Sequence, residues 1–255
     1  MLERARARGL ELERKPTSQP VVTGFYQLTS LGDTFQTWQG LLEGKSGVRR
    51  FDVNNERTSI AAPVVFDPKD HVGKRDLRRM ALITVMAIAG ARAAGKMAQV
   101  LGEDNRLLPD INKKRVGMCI ASGIGPTHNL IDIANAIHGQ NGEGESDNEL
   151  DEEAMRKVKA EAMREGSRKV HIFDGLRSFP EQPNAQAAIA LGASGWPINS
   201  SEACATGLSA IAEGARLIRD GYADLVFAGG AEEVFRQHGE VGIASFAPMN
   251  ALSKR

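Results

Sequence analysis

The sequence predicts an α/β protein, because short apolar runs alternate with helical patterns along the chain. Three stretches near the middle and end carry this. "RVGMCIASGIG" (residues 115–125) is a β-like run that ends in a glycine turn, and "ADLVFAGGAEE" (residues 223–233) is a second, ending in the paired glycines Gly229 and Gly230. Between them Leu208, Ile211, Ala212, Ala215 and Ile218 recur at helical spacing, with Glu213, Arg216 and Arg219 on another face and Gly221 as a stop.

The remaining elements follow in chain order. "MLERARARGLELERK" is rich in Arg but interrupted by Glu3, Glu11 and Glu13, so residues 1–19 read as a solvated arm rather than an acid-free transit peptide. "PVVTGFY" (residues 20–26) reads as a first buried strand. "DTFQTWQGLLEGKSG" follows as a helix with Asp33 at its N-cap and Gly44 as its stop. Residues 74–101, "KRDLRRMALITVMAIAGARAAGKMAQVL", read as one long helical region. Its nearly all-apolar centre belongs between layers. Cys119, inside a strand, is read as packing, and the lone Gly123-Ile124-Gly125 pattern as a tight turn rather than a phosphate cradle.

The segment "EGESDNELDEE" (residues 143–153) holds seven acids, and "AMRKVKAEAMREGSRK" then turns basic, with Glu152 and Glu153 four residues before Arg156 and Lys157. Residues 139–166 therefore read as a charged surface insertion, an exposed loop followed by a solvated helix. Thirty-two basic residues balance thirty-two acidic ones, which gives no reason to expect a nucleic-acid or anionic-membrane partner. No apolar run has the length of a membrane span. Two cysteines in apolar or small-residue settings fit free thiols in a reducing, cytoplasmic setting.

Cys204 is the candidate catalytic residue. It stands where the strand-like "WPINSSEA" gives way to a helical pattern, beside the small residues Ala203, Ala205 and Gly207. Unpaired N–H groups at a helix start favour a thiolate and can hold a developing oxyanion. From the residues, two readings stand: this nucleophile, or an inert buried cysteine. The G-x-C-x-G elbow of a cysteine α/β-hydrolase is absent, since Glu202 and Thr206 replace both glycines.

"EACATG", the amphipathic pattern after it and "DLVFAGGAEE" resemble the nucleophile segment of the decarboxylating β-ketoacyl-[acyl-carrier-protein] synthases, condensing enzymes of fatty-acid synthesis. The likeness extends to "VVTG", "LTSLG", "TWQGLLEGKSGVRRF", "KRVGMCIASGIG" and "IASFAPMNALS", in the family's order. Polyketide synthase modules are near relatives. The resemblance implies the N-terminal half of a thiolase-like layered α/β/α/β/α fold over residues 20–255, and a dimer. It also implies an acyl-carrier protein as partner and an acyl thioester on Cys204; it implies no cofactor and no metal. Phe246, in "IASFAPM", matches a position near the acyl pocket and is given a substrate-binding role on that ground. Tyr26 departs from the pattern, standing where the family usually has glycine. The resemblance also implies two histidines and a lysine for decarboxylation, expected in a C-terminal half. None of His71, His128, His138, His171 and His238 lies in a matching motif. The reading is thus a condensing enzyme acting through acyl-Cys204, or a non-catalytic or partner-dependent half-subunit.

Overall fold

The computed structural model describes residues 19–50, 60–138, 172–234 and 248–253, together with Arg164, Arg168, Val170 and Phe246. The arm at residues 1–18 and the acidic run at 143–153 lie outside these residues. The first helix, α1 (Thr34–Leu42), begins as the sequence predicts. Asp33 accepts from the Gln36 N–H (2.9 Å) while the Gln36 side chain accepts from the Asp33 N–H (3.0 Å), a reciprocal capping box. Beyond it Gly44 takes a φ of +67°, which favours glycine and ends the helix. A two-residue antiparallel pair, β1 (Arg49–Arg50) with β2 (Ile60–Ala61), follows.

The core is a parallel pair, β3 (Val116–Ala121) and β4 (Leu225–Gly230), in register from Val116↔Leu225 to Ala121↔Gly230. Arg115 sets this register. Its guanidinium donates twice to the Asp224 carboxylate at 2.8 Å and once to the Gly221 carbonyl at 3.0 Å, so the two strands start level. All of β3 is buried, as expected of a parallel strand covered on both faces. Val116, Met118 and Ile120 point toward α2 (Leu82–Met97) and α4 (Gln182–Leu191), meeting Ile88, Ala91, Ala187 and Leu191. Each such side chain, fully buried, contributes roughly 1.5–3 kcal/mol. Cys119 and Ala121 point the other way, toward Ala210 and Leu217 of α5 (Thr206–Arg219). The result is a helix, sheet, helix sandwich, and Cys119 is packing, as predicted. A further helix, α3 (Thr127–His138), leaves the carboxyl end of β3.

Four expectations need correction. Residues 20–26 form no strand: no described strand pairs with them, and Val21 and Val22 are exposed. Their backbone is committed instead to the end of α2, where the Phe25 N–H meets Met97 Sδ at 3.3 Å and Gly24 packs on the Ala94 carbonyl. The region 74–101 is not one helix. A single turn (Lys74–Leu77) is followed by extended Ala81, which is buried, and only then by α2. No Gly or Pro marks this break; tertiary packing overrides local propensity. "WPINSSEA" yields one parallel bridge, Pro197↔Met118, rather than a strand. The fourth correction concerns α5, which packs on the sheet through Thr206, Ala210, Gly214 and Leu217. Leu208 and Ile211 are exposed at 73% and 51%. The sheet face is made of Gly117, Cys119 and Ala121, so close approach requires a helix face of small residues. A Cβ at Gly214 would already come within 3.0 Å of Ala228 and Val226.

Candidate active site

Because β3 and β4 are parallel and start level, their carboxyl ends finish side by side at Ala121 and Gly230. Loops at that edge of a parallel sheet are where α/β proteins assemble sites. Three segments meet there: the turn at residues 122–125, the residues after β4, and the elbow leading into α5.

The elbow is a 3₁₀ turn, Ala203–Ala205, running into α5. Cys204 lies at its centre and is exposed, whereas Cys119 is fully buried, and both are free thiols. In this chain Cys204 is therefore the accessible thiol and Cys119 the packed one. Ala203, just before it, has a φ of +50°, which costs a non-glycine residue roughly 1–2 kcal/mol. A strained residue persists only where its surroundings fix it. Thr206, 2% exposed, supplies one restraint: its hydroxyl accepts from the Glu202 N–H (2.8 Å) and donates to the Ala203 carbonyl (2.7 Å). Close backbone packing supplies another. A Cβ at Gly123 would fall 2.5 Å from the Ala203 oxygen, and one at Gly230 would fall 3.2 Å from the Gly207 Cα. The glycines of "SGIG", "ATG" and "AGG" therefore let three backbones approach one another.

The turn after β3 is tight, as predicted, with Gly125 at a φ of +69°. It encloses a carboxylate. Glu232 accepts from Ser122 Oγ (2.7 Å), from the Gly123 N–H (2.8 Å) and from the Ile124 N–H (3.3 Å). Nothing in the sequence reading selected Glu232; the available signal was a carboxylate just past paired glycines at a strand end. A second missed feature is a surface cleft of about 400 Å³ lined by Lys74, Arg75, Arg78, Arg79 and Phe173, with the Arg79 guanidinium 4.8 Å over the Phe173 ring. Its signal was the four cations of "KRDLRR".

No side chain caps α5 by a hydrogen bond; the preceding 3₁₀ turn leads into it instead, with the Ala205 N–H donating to the Glu202 carbonyl at 3.0 Å and the Thr206 N–H to the Ala203 carbonyl. An exposed thiol at that start suits attack on a thioester carbonyl. Phe246 is half-buried and its carbonyl accepts from the Met249 N–H (3.3 Å). Tyr26, which replaces an expected glycine, lies against Gly90, and burial raises its phenol. Of the histidines, His71 stacks on Phe66 with centroids 4.6 Å apart, His128 is buried, and His138 ends α3. His171 and His238 lie outside the described residues.

The two thiols differ in chemistry. Burial raises Cys119 from 9.0 to about 11. Iodoacetamide at neutral pH is expected to label Cys204 and spare Cys119, read by peptide mass mapping; preferential labelling of Cys119 in the folded chain would overturn this. The sign for stability follows. Below pH 9 the Cys119 thiol is neutral in both states; between about 9 and 11 it ionises only when unfolded, so stability falls as pH rises through that window.

The Beta-ketoacyl synthase, N-terminal domain family matches residues 19–255. A 3-oxoacyl-[acyl-carrier-protein] synthase 2 of Vibrio harveyi is 32% identical over 240 residues, which are 92% of this chain and 50% of that protein. A Beta-ketoacyl synthase from Burkholderia phymatum STM815 superposes with a TM-score of 0.70 at 22% identity, over 92% of this chain and 51% of the other. AntDE:AntF, a type II PKS acyl-carrier protein in complex with its ketosynthase, gives 0.70 at 24% identity, over 94% and 51%. The chain thus spans about half the length of the curated relatives it matches. The thiolase-like fold expected from the sequence is the fold of these structures. With a match running from residue 19 to residue 255, the chain belongs to the beta-ketoacyl synthase family, as its N-terminal domain.

Proposed function

We propose that this chain is the nucleophile-bearing half of a 3-oxoacyl-[acyl-carrier-protein] synthase, in which Cys204 accepts an acyl group and the acyl-enzyme then undergoes Claisen condensation with a malonyl thioester. The observation that carries this is Cys204 itself: an exposed thiol on a left-handed elbow, at the uncapped start of α5 and at the carboxyl edge of a parallel sheet. The thiolate attacks the thioester carbonyl, the carrier thiol leaves, and the α5 N–H groups stabilise the oxyanion between those events. Phe246 contacts the acyl chain in this reading, on the strength of its place in "IASFAPM". No step requires a cofactor.

The partner is an acyl-carrier protein. The complex of a type II PKS ketosynthase with its acyl-carrier protein supports this, as does the cleft of Lys74, Arg75, Arg78 and Arg79, which attracts an acidic surface. The test is acyl transfer followed by intact-mass and peptide mass spectrometry. An acyl mass on Cys204 is expected, and its absence from a folded sample would remove the reading. The double variant Arg78→Glu, Arg79→Glu is expected to raise the KM for a carrier-bound donor by about tenfold at low salt. It should leave transfer from a small soluble thioester unchanged; equal loss with both donors would reject this docking surface.

The domain division is an arm at 1–19 and a synthase domain at 20–255, with residues 139–166 inserted at the surface. The acids of that segment could not be buried unpaired without a large desolvation cost. Deleting it should leave a folded chain whose Cys204 still labels; loss of soluble protein would make the segment structural. A cytoplasmic homodimer is the assembly this reading carries, and light scattering of the purified chain checks the stoichiometry.

A further inference from the structure

The strained elbow needs an anchor outside its own segment. Thr206 ties Glu202 to Ala203 locally, but the face of the Ala203 carbonyl rests on Gly123, at the distance where even a methyl group would not fit. Whatever fixes Gly123 therefore limits where Ala203, and the next residue Cys204, can sit. Gly123 belongs to a loop, and a loop backbone of this kind is held by the bonds its amides make. Those bonds run to one side chain. Glu232 receives the Gly123 N–H at 2.8 Å, the Ile124 N–H at 3.3 Å and the Ser122 hydroxyl at 2.7 Å. Ser122, 4% exposed, in turn accepts from the Gly125 N–H at 2.9 Å, so all four residues of the turn are tied to one carboxylate. Glu232 is itself placed from the sheet: it follows Ala231, whose N–H donates to the Ala121 carbonyl at 3.0 Å in continuation of the β3–β4 ladder. The path from sheet to thiol is Glu232, turn, Gly123, Ala203, Cys204. Gly123 is squeezed from both sides of this path: a Cβ there would stand 2.5 Å from the Ala203 oxygen and 3.1 Å from Glu232 Oε2.

We infer that Glu232 is the positioning residue of Cys204: its carboxylate locks the turn at residues 122–125, against which the left-handed Ala203 backbone is seated. Glu232 makes no contact with the reacting carbon and does no acid–base work. The inference deepens the proposed function and rests on it for its kinetic arm only.

The test compares wild type, Glu232→Ala, Glu232→Gln and Cys204→Ala in the full chain. Hydrogen–deuterium exchange is followed over the peptides covering residues 121–125 and 201–207, and single-turnover acyl transfer and iodoacetamide labelling of Cys204 are timed. In Glu232→Ala, exchange should rise about tenfold in both peptides, the equivalent of one lost charge-assisted hydrogen bond. Acyl transfer, which depends on geometry, should fall by about 10²-fold, while labelling by the small alkylator changes by less than about threefold. Glu232→Gln can accept from the Gly123 N–H and donate to Ser122, and is expected to restore most of both losses. If exchange rises in residues 121–125 but not in 201–207, the coupling to the elbow is refuted. Equal slowing of acylation and alkylation, with no rescue by Gln, would reduce Glu232 to a structural support and also overturn the proposal. Should wild type show no acyl mass dependent on Cys204, the functional reading fails, and the exchange result still decides the role of Glu232. If Glu232→Ala does not fold, Ser122→Ala breaks the same turn more gently, and unchanged exchange at 201–207 in that variant counts against the inference.

Discussion

Incubated with acyl- and malonyl-carrier protein, the 255-residue chain is expected to gain an acyl mass on Cys204 and to release no β-ketoacyl product. Acyl transfer needs a nucleophile and oxyanion donors: the elbow presents an exposed thiol, and the proposed reading draws the donors from N–H groups at the start of α5. Condensation needs more. When a malonyl thioester loses CO2, the electron pair of the broken C–C bond must rest on the thioester as an enolate before it attacks the acyl-Cys204 carbonyl and expels the thiolate. The family likeness assigns that stabilisation to two histidines and a lysine, and none of the five histidines here lies in a matching motif. His128 is buried, and half-buried His71 stacks on Phe66. Cys204→Ala should abolish the mass gain completely. The assay is run on the soluble fraction from gel filtration, because exposed Leu208 and Ile211 on α5, and Phe35, Trp38 and Leu42 on α1, favour self-association. β-Ketoacyl product from the chain by itself, lost in Cys204→Ala, would contradict the prediction and direct the search to a substitute base.

Gly123→Ala is expected to slow acylation of Cys204 by about 10²-fold, the effect of misplacing a reacting group by roughly an ångström. The added methyl carbon would stand 2.5 Å from the Ala203 oxygen and 3.1 Å from the Ala203 carbonyl carbon, both backbone atoms that cannot swing aside. Either the turn moves and breaks its bonds to Glu232, or the elbow moves and carries Cys204 with it. Overpacking of this kind costs about 1–3 kcal/mol, so thermal unfolding should shift but remain cooperative. Gly73→Ala is the control: no atom lies within 4 Å of the position its methyl would take, and both rate and melting should match wild type. A Gly123→Ala chain that acylates at the wild-type rate would show that the elbow tolerates displacement.

Helix α1 was legible because its determinants are local: Asp33 caps Gln36 within one turn, and Gly44 ends the run beyond it. Strand β3 was legible for a related reason, since a continuous apolar run flanked by glycine has few alternatives. Residues 20–26 have the same local signal as β3 and form no strand, because a strand exists only where another pairs with it. The helices α3 and α4 carried no expectation at all; α4 has an apolar face of alanines interrupted by the buried Asn184, which donates to the Ile198 carbonyl and accepts from the Ile120 N–H across the sheet edge. The apolar stripe of α5 was visible, but not which side of the helix the sheet would take. That depended on the small residues Gly117, Cys119 and Ala121, more than eighty positions earlier in the chain.

By itself the sequence determined the α/β class, the family and the candidate thiol, because each rests on residues contiguous in the chain: apolar runs, "EACATG", and a cysteine before a helical pattern. The tertiary structure decided which cysteine is open to solvent, which face of α5 meets the sheet, and what holds the elbow. Those depend on Gly123 meeting both Ala203 and Glu232, and on Gly230 meeting Gly207, and such contacts are set by parallel strand register rather than by local preference.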